Sequence, residues 1–383
     1  MKTTMINLFQ PNLGREEMEA ITEVFASNWL GKGTKVSEFE TNFGQSLEEN
    51  PALFLSTTSC TEAIFLSAKL FKFAPGDEII VPTISFPSIG SAVVESGATM
   101  VFCDVDQHSL NVRVQDFKEL ISEKTKAIYV THYGGVPCDM DEIIKLCHQH
   151  NIAIIEDSAC AVRSFYKGKA CGTFGSMGMW SFDAMKTLST ADGGMMYIAD
   201  TNKRIEAEES LYLGLPVKSK SGLDSSTDGA ANWWEFQMNR TGRRAIMNNV
   251  TAAMGLVQLD KLDGFIERRK DIFETYYQSL NSVGDINLPP LPSFDHTSSY
   301  YFFWIQTKYR DKLAQFLLDQ GIYTTFRYWP LDKIDMFSNF VTNTYPNSDY
   351  AAKYTLNLPL HQGLSDQEVL LIIKSIKTFY EQL

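Results

Sequence analysis

From about residue 51 to residue 199, short apolar runs alternate with stretches of helical spacing. The apolar runs are 52–56 (ALFLS), 78–82 (EIIVP), 99–104 (TMVFCD), 127–132 (AIYVTH), 152–157 (IAIIED), 177–182 (MGMWSF) and 194–199 (GMMYIA). Most are almost continuously hydrophobic, which suits strands covered on both faces. Between them, 61–72, 87–96, 114–122 and 139–149 read as helices. Such alternation predicts an α/β unit: a mainly parallel, mixed sheet of seven strands with helices on both faces.

A polar stretch follows, 215–236, rich in Ser, Gly, Asp and Lys and closing on Trp233 and Trp234. It reads as a long loop, a class that is often functional. Residues 248–280 carry a long helical pattern interrupted only by Gly255 and Gly264. LPPLPSF (288–294) predicts a stiff linker. Beyond it YYFFWIQT and IYTTFRYW look like strands, and the final segment is an amphipathic helix opened by a Ser365/Glu368 capping box. The expected division is a large α/β domain over 1–259 and a smaller C-terminal α+β domain over 260–383.

Composition narrows the classes. The 383 residues are 44% hydrophobic and 12% aromatic, enough for a sizeable core, with charges spread along the chain. A net charge of −12 argues against nucleic acid or an anionic membrane as partner. No apolar run approaches the ~18 residues of a membrane span, and the first residues lack the apolar core of a signal peptide. The cysteines Cys60, Cys103, Cys138, Cys147, Cys160 and Cys171 form no Cys-x-x-Cys pair, so reduced thiols and a cytoplasmic setting are expected. His148 and His150 lie two apart on a helix, their rings diverging, so no metal site is expected there.

Ligands of open α/β sheets bind beyond the carboxyl ends of the strands, so the residues after each run matter most. After 52–56, Ser59-Cys60-Thr61-Glu62 fits a capping box; it is an ordinary helix start or a phosphate site made of free N–H groups. After 78–82, Phe86 is either core or a platform for a planar ring. Asp157 closes an apolar strand and either meets solvent or holds a protonated heterocyclic nitrogen, with neighbouring Glu156 on the opposite face. After 177–182, Ser181 precedes Lys186, a loop lysine or an amine able to form a Schiff base with a carbonyl cofactor. Taken together, a phosphate cradle, a ring stacker, a carboxylate and a lysine are the set needed to hold pyridoxal phosphate.

The chain also resembles the DegT/StrS-type sugar aminotransferases, which have the fold of aspartate aminotransferase. The resemblance lies in NWLGKGTKVSEFETNF (28–43), PGDEIIVPTISFPSIGSAVVESGATMVFCDVD (75–106), HYGGVPCDMDEI (132–143), IIEDSACA, GTFGSMGMWSFDAMKTLSTADGG (172–194), AAMGLVQL (252–259) and LNLPLHQGLSDQE (356–368). It implies pyridoxal phosphate joined to Lys186, which then shuttles a proton. It puts Asp157 at the ring nitrogen, Phe86 on the ring, Cys160 near the phenolic oxygen, and Cys60, Thr61 and Ser181 at the phosphate. It implies a homodimer in which a neighbour's residue, here Arg244, reaches that phosphate; alternatively Arg243 or Arg244 meets the donor's carboxylate. The implied reaction moves an amino group from an amino acid, glutamate being expected, to a keto sugar, expected to be nucleotide-linked. Trp233, Trp234, Arg243 and Arg327 are the candidate sugar or nucleotide contacts, the tryptophans being equally suited to dimer packing. Where relatives commonly have Gln, Gly, and His or an aromatic, this chain has Cys160, Cys60 and Asp183. Some relatives replace the lysine by His and dehydrate a keto sugar; Lys186 favours transamination, with dehydration as the alternative.

Overall fold

The computed structural model describes residues 5–215, 238, 240–293 and 295–383. Two helices, α1 (Arg15–Ala26) and α2 (Thr34–Ser46), precede the α/β alternation. That alternation runs β1 (Phe54–Thr57), α3 (Cys60–Leu70), β2 (Glu78–Pro82), α4 (Pro87–Ser96), β3 (Thr99–Cys103), α5 (Val114–Phe117), β4 (Thr125–Thr131), α6 (Met140–Gln149) and β5 (Ala153–Asp157). The short strands β6 (Phe165–Tyr166) and β7 (Lys169–Ala170) come next, then β8 (Met177–Ser181), β9 (Gly194–Ile198) and α7 (Thr201–Leu211). The C-terminal part holds α8 (Asn249–Leu280), β10 (His296–Thr297), β11 (Phe303–Gln306), α9 (Arg310–Asp319), α10 (Pro346–Tyr354), β12 (Thr355–Leu358) and α11 (Asp366–Glu381).

All seven expected strands enter one sheet, in the order β1-β9-β8-β5-β4-β2-β3. Only β9 runs against the rest: it is antiparallel to both β1 and β8, and every other pairing is parallel. Alternation along each strand divides the core. Ile79, Val81, Tyr129, Ile155, Met177 and Met179 pack toward α3, α4 and α7, whereas Ile80, Ile128, Val130 and Ile154 pack toward α6. Trp180, Met195 and Tyr197 meet α2 and the first half of α8. Asp157 therefore shares a face with Ile155, and Glu156 takes the other.

Local chemistry sets the boundaries. Pro87 fills the first turn of α4, and Gly97, at φ 79°, closes it in the left-handed region open to glycine. The Asn248 side chain accepts from the Val250 and Thr251 N–H groups to start α8, and α11 opens on the expected Ser365/Glu368 capping box. Helix α8 runs unbroken through 32 residues. Ala252 and Leu262 belong to the core under the large sheet, while Ile272, Phe273, Tyr276 and Leu280 belong to the one formed with β11, β12, α9 and α11. Position 259/260, the expected domain boundary, thus lies inside one continuous helix.

One expected strand does not form. IYTTFRYW makes only single bridges, Ile322 with Ile6 and Thr325 with Asn357. Its next N–H, that of Arg327, goes to the Asn357 side chain at 2.8 Å, and the Arg327 carbonyl is taken by the Tyr133 hydroxyl. Side chains satisfy the backbone that a ladder would otherwise use.

Candidate active site

The carboxyl ends of β1, β2, β5 and β8 lie along one edge of the sheet, and the sequence-selected residues gather there. Ser59 caps α3, its hydroxyl accepting the Glu62 N–H at 3.2 Å. The second half of the expected capping box is missing, because the Glu62 carboxylate faces Arg243 at 3.4 Å. The Cys60 and Thr61 N–H groups have no protein acceptor among the described residues, which leaves the positive end of α3 open to an anion. Gly194 permits this approach: a Cβ there would stand 2.6 Å from the Cys60 nitrogen. Ser181 ends β8, its hydroxyl accepting only a long bond, 3.4 Å, from the Asp183 N–H.

Phe86 is 43% exposed at the start of α4, so it is not part of the core. Its ring meets Tyr328 edge-on, centroids 5.4 Å apart at 71°. Asp157 is buried at the end of β5; one carboxylate oxygen accepts the Ala159 N–H at 3.0 Å. Burial raises its pKa, opposed by that N–H and by Lys186 and His132. Glu156 is bound on the opposite face by the Gly172 and Gly175 N–H groups and by His132.

Lys186 is only 9% exposed. Its Nζ lies 3.6 Å from the Cys160 Sγ and 4.7 Å from the centre of the Tyr301 ring. Burial disfavours its ammonium, but Cys160, Tyr301, Tyr328 and Asp157 favour it, and the net direction is upward. Burial raises the Cys160 thiol pKa, and Lys186 opposes that rise. Asp183, which the sequence left without a role, shapes the turn that presents the lysine: its carboxylate accepts the Met185 N–H at 3.0 Å and its carbonyl the Lys186 N–H at 2.9 Å.

Not all the candidates converge. Arg327 reaches the rim, 3.7 Å from the Met185 sulfur and over the Phe9 ring. Arg243 instead bridges Glu62 and Glu95 across α3 and α4, where it lines a groove of about 350 Å³. Arg244 is exposed over the Tyr212 ring. Trp233 and Trp234, and all of the stretch expected as a loop over 215–236 except Leu215, lie outside the described residues. Residues that sequence reasoning passed over also enter the site. Tyr301 lies beneath Lys186. Arg269 is fully buried over the Tyr301 ring and donates to Gln362, which in turn donates to the carbonyl of Thr187. Tyr301 sits in a run that reads only as strand, and Arg269 on a helix where arginine is ordinary, so neither carried a signal. All six cysteines are buried free thiols. Among the described residues no cluster suited to a metal ion occurs, and no helix is long and apolar enough to cross a membrane.

Comparison with known proteins matches residues 11–377 to the DegT/DnrJ/EryC1/StrS aminotransferase family. The chain is 44% identical over 367 residues to the dTDP-4-dehydro-2,3,6-trideoxy-D-glucose 4-aminotransferase of Saccharopolyspora spinosa, covering 95% of this chain and 94% of that protein. It is 32% identical to the GDP-perosamine synthase of Escherichia coli O157:H7, covering 98% of both. Among solved structures, the aminotransferase TlmJ from Streptoalloteichus hindustanus superposes with a TM-score of 0.92 at 42% identity, over 99% of each chain. Spr1654 from Streptococcus pneumoniae, a candidate sugar aminotransferase in its PLP form, gives 0.90 at 26% identity, over 99% of each.

Proposed function

Because the chain belongs to the DegT/DnrJ/EryC1/StrS aminotransferase family, we propose that it uses pyridoxal phosphate to move an amino group from an amino acid, glutamate first among the candidates, to a nucleotide-linked keto sugar. The observation that carries this reading is the buried Lys186 amine at the strand-end edge it shares with Asp157, Ser181, Phe86 and the open start of α3. A sugar 4-aminotransferase and a perosamine synthase among the relatives support the substrate class, and a neighbour's PLP form supports the cofactor.

The residues fit the group. The start of α3 and Ser181 would hold its phosphate, Phe86 would cover its ring, and Asp157 would keep the ring nitrogen protonated. Bound there, the cofactor supplies an aldehyde for the lysine and a protonated ring that accepts the electron pair left at the donor's Cα. Asp157, buried and with one oxygen that accepts no hydrogen bond among the described residues, would stabilise that positive nitrogen. Lys186, with its amine at this edge, would move the proton between the donor's Cα and its next position. The turn held by Asp183 fixes where the Nζ can reach. Arg244, exposed, is suited to a phosphate in a neighbouring subunit, since a guanidinium binds it as a fork. Buried free thiols support a cytoplasmic setting.

The test is direct. The purified chain with pyridoxal phosphate should be yellow, and borohydride should fix the cofactor to Lys186, with Lys186→Ala losing the adduct. Glutamate should convert the cofactor to pyridoxamine phosphate. Absence of colour sinks the site assignment, and colour without conversion by any amino donor sinks transamination in favour of elimination.

A further inference from the structure

We propose that the Tyr328 hydroxyl donates a hydrogen bond to the phenolic oxygen of pyridoxal phosphate and thereby sets the protonation of the link to Lys186. This inference rests on the cofactor reading above.

The order of the sheet orients the ring. The phosphate groups of the site, the start of α3 and Ser181, follow β1 and β8, on one side of β5. On the pyridine ring the aldehyde carbon lies between the carbon bearing the phosphate arm and the carbon bearing the phenolic oxygen. With the phosphate toward β8, the nitrogen at Asp157 and the aldehyde at Lys186, the phenolic oxygen must lie on the side of β4 and β2. The side chains on that side are Cys160, 3.6 Å from the Lys186 Nζ, and Tyr328, whose hydroxyl is 3.8 Å from the Cys160 Sγ. Tyr328 also touches Phe86, which follows β2. A thiol is a poor donor and a phenol a good one.

Tyr328 is held in place. The preceding residue has its N–H on the Asn357 side chain at 2.8 Å and its carbonyl on the Tyr133 hydroxyl, while Asn357 also donates to Tyr133 at 3.4 Å. Its ring is braced by Phe86 at 5.4 Å and Phe302 at 6.0 Å. Burial pushes the Tyr328 hydroxyl well above the ordinary tyrosine range, so it keeps its proton as a donor.

The link between Lys186 and the cofactor shares its proton with the phenolate. When that proton leaves, the phenolate depends on other donors, so a hydroxyl on it favours the deprotonated form. The groups around Lys186 are Asp157 and Cys160 after β5, Cys60 at the start of α3, and Tyr301 and Tyr328, with Arg327 and Arg269 beside Tyr301. Tyr328→Phe alters the charge of none of them.

The experiment is a spectrophotometric pH titration of the chain reconstituted with pyridoxal phosphate. In Tyr328→Phe the midpoint of the visible band should rise by about one pH unit, a tenfold change in proton affinity. The variant should also bind pyridoxal phosphate about tenfold more weakly than wild type, yet bind its 3-O-methyl ether, which carries no phenolate, as wild type does. Visible circular dichroism equal to that of wild type shows that the variant is folded around its cofactor. An unmoved midpoint, or equal losses for both compounds, overturns the proposal. A wild-type chain that takes up no cofactor overturns the underlying reading instead.

Discussion

Replacing Glu156 by glutamine changes one heavy atom and should destabilise the chain, because each of its hydrogen-bond partners among the described residues is a donor. The Gly172 N–H lies at 2.7 Å, the Gly175 N–H at 2.6 Å and His132 Nε2 at 3.0 Å. The histidine tautomer follows from its other nitrogen: Nδ1 accepts the Cys138 N–H at 3.1 Å, so the proton sits on Nε2. Glutamate accepts at all three points; an amide must aim N–H groups at a donor in either orientation. In the better orientation one charge-assisted bond is lost, about 1.5–3 kcal/mol, and the others fall to neutral strength, for a total of about 3 kcal/mol. A chain of 383 residues unfolds with an entropy of roughly 0.8 kcal/mol/K. The melting temperature of the cofactor-free chain should therefore fall by about 4 °C. Scanning fluorimetry and urea titration at neutral pH measure this, with an unchanged urea slope confirming that the folded state is affected. A variant within 0.5 kcal/mol of wild type would refute the reasoning, since all three donors would then have found other acceptors.

Two further outcomes follow from buried titratable groups. Burial raises the Asp157 pKa above its ordinary 3.8, so in the cofactor-free chain its ionised form opposes folding at higher pH. Asp157→Asn should melt no lower than wild type at pH 7, the difference closing below pH 3.8, while its half-reaction with an amino donor slows about a hundredfold or more in stopped-flow absorbance; a lower melting point or an unslowed reaction would count against both roles. Burial, with Arg269 nearby, lowers the His361 pKa from 6.5 to about 4. The folded chain holds a neutral imidazole, so stability is complete above 6.5 and declines as the pH falls toward 4, by on the order of 3 kcal/mol. Urea unfolding across that range should be flatter for His361→Gln, and an identical slope would contradict it.

Much of the fold was legible because its strands are buried on both faces and so are marked by continuous apolar runs. The helix over 87–96 was legible at both ends, where Pro87 and Gly97 act through backbone geometry alone. IYTTFRYW misled because composition records β preference and not hydrogen-bond partners; Asn357 and Tyr133, distant in sequence, claimed its backbone. The site divided along the same line. Asp157 and Ser181 end strands of the sheet and Phe86 and Lys186 follow strands, so topology gathers them without knowledge of tertiary contacts. Tyr301, Tyr328 and Arg269 come from the C-terminal part, and their approach depends on how that part folds back over the sheet. Arg243 engages Glu62 and Glu95, acids on α3 and α4 that its position in the sequence does not connect to it.

The turn built by Asp183 also limits what can be engineered here. Between the last sheet residue, Ser181, and Lys186 the chain is measured out by two bonds, one from a side chain and one from a carbonyl, each spanning a set number of residues. It therefore acts as a spacer of fixed length. An asparagine at 183 keeps both acceptors and so keeps the reach of the amine. One residue inserted or deleted there shifts the lysine relative to everything it must touch, so the segment should accept changes of identity but not of length.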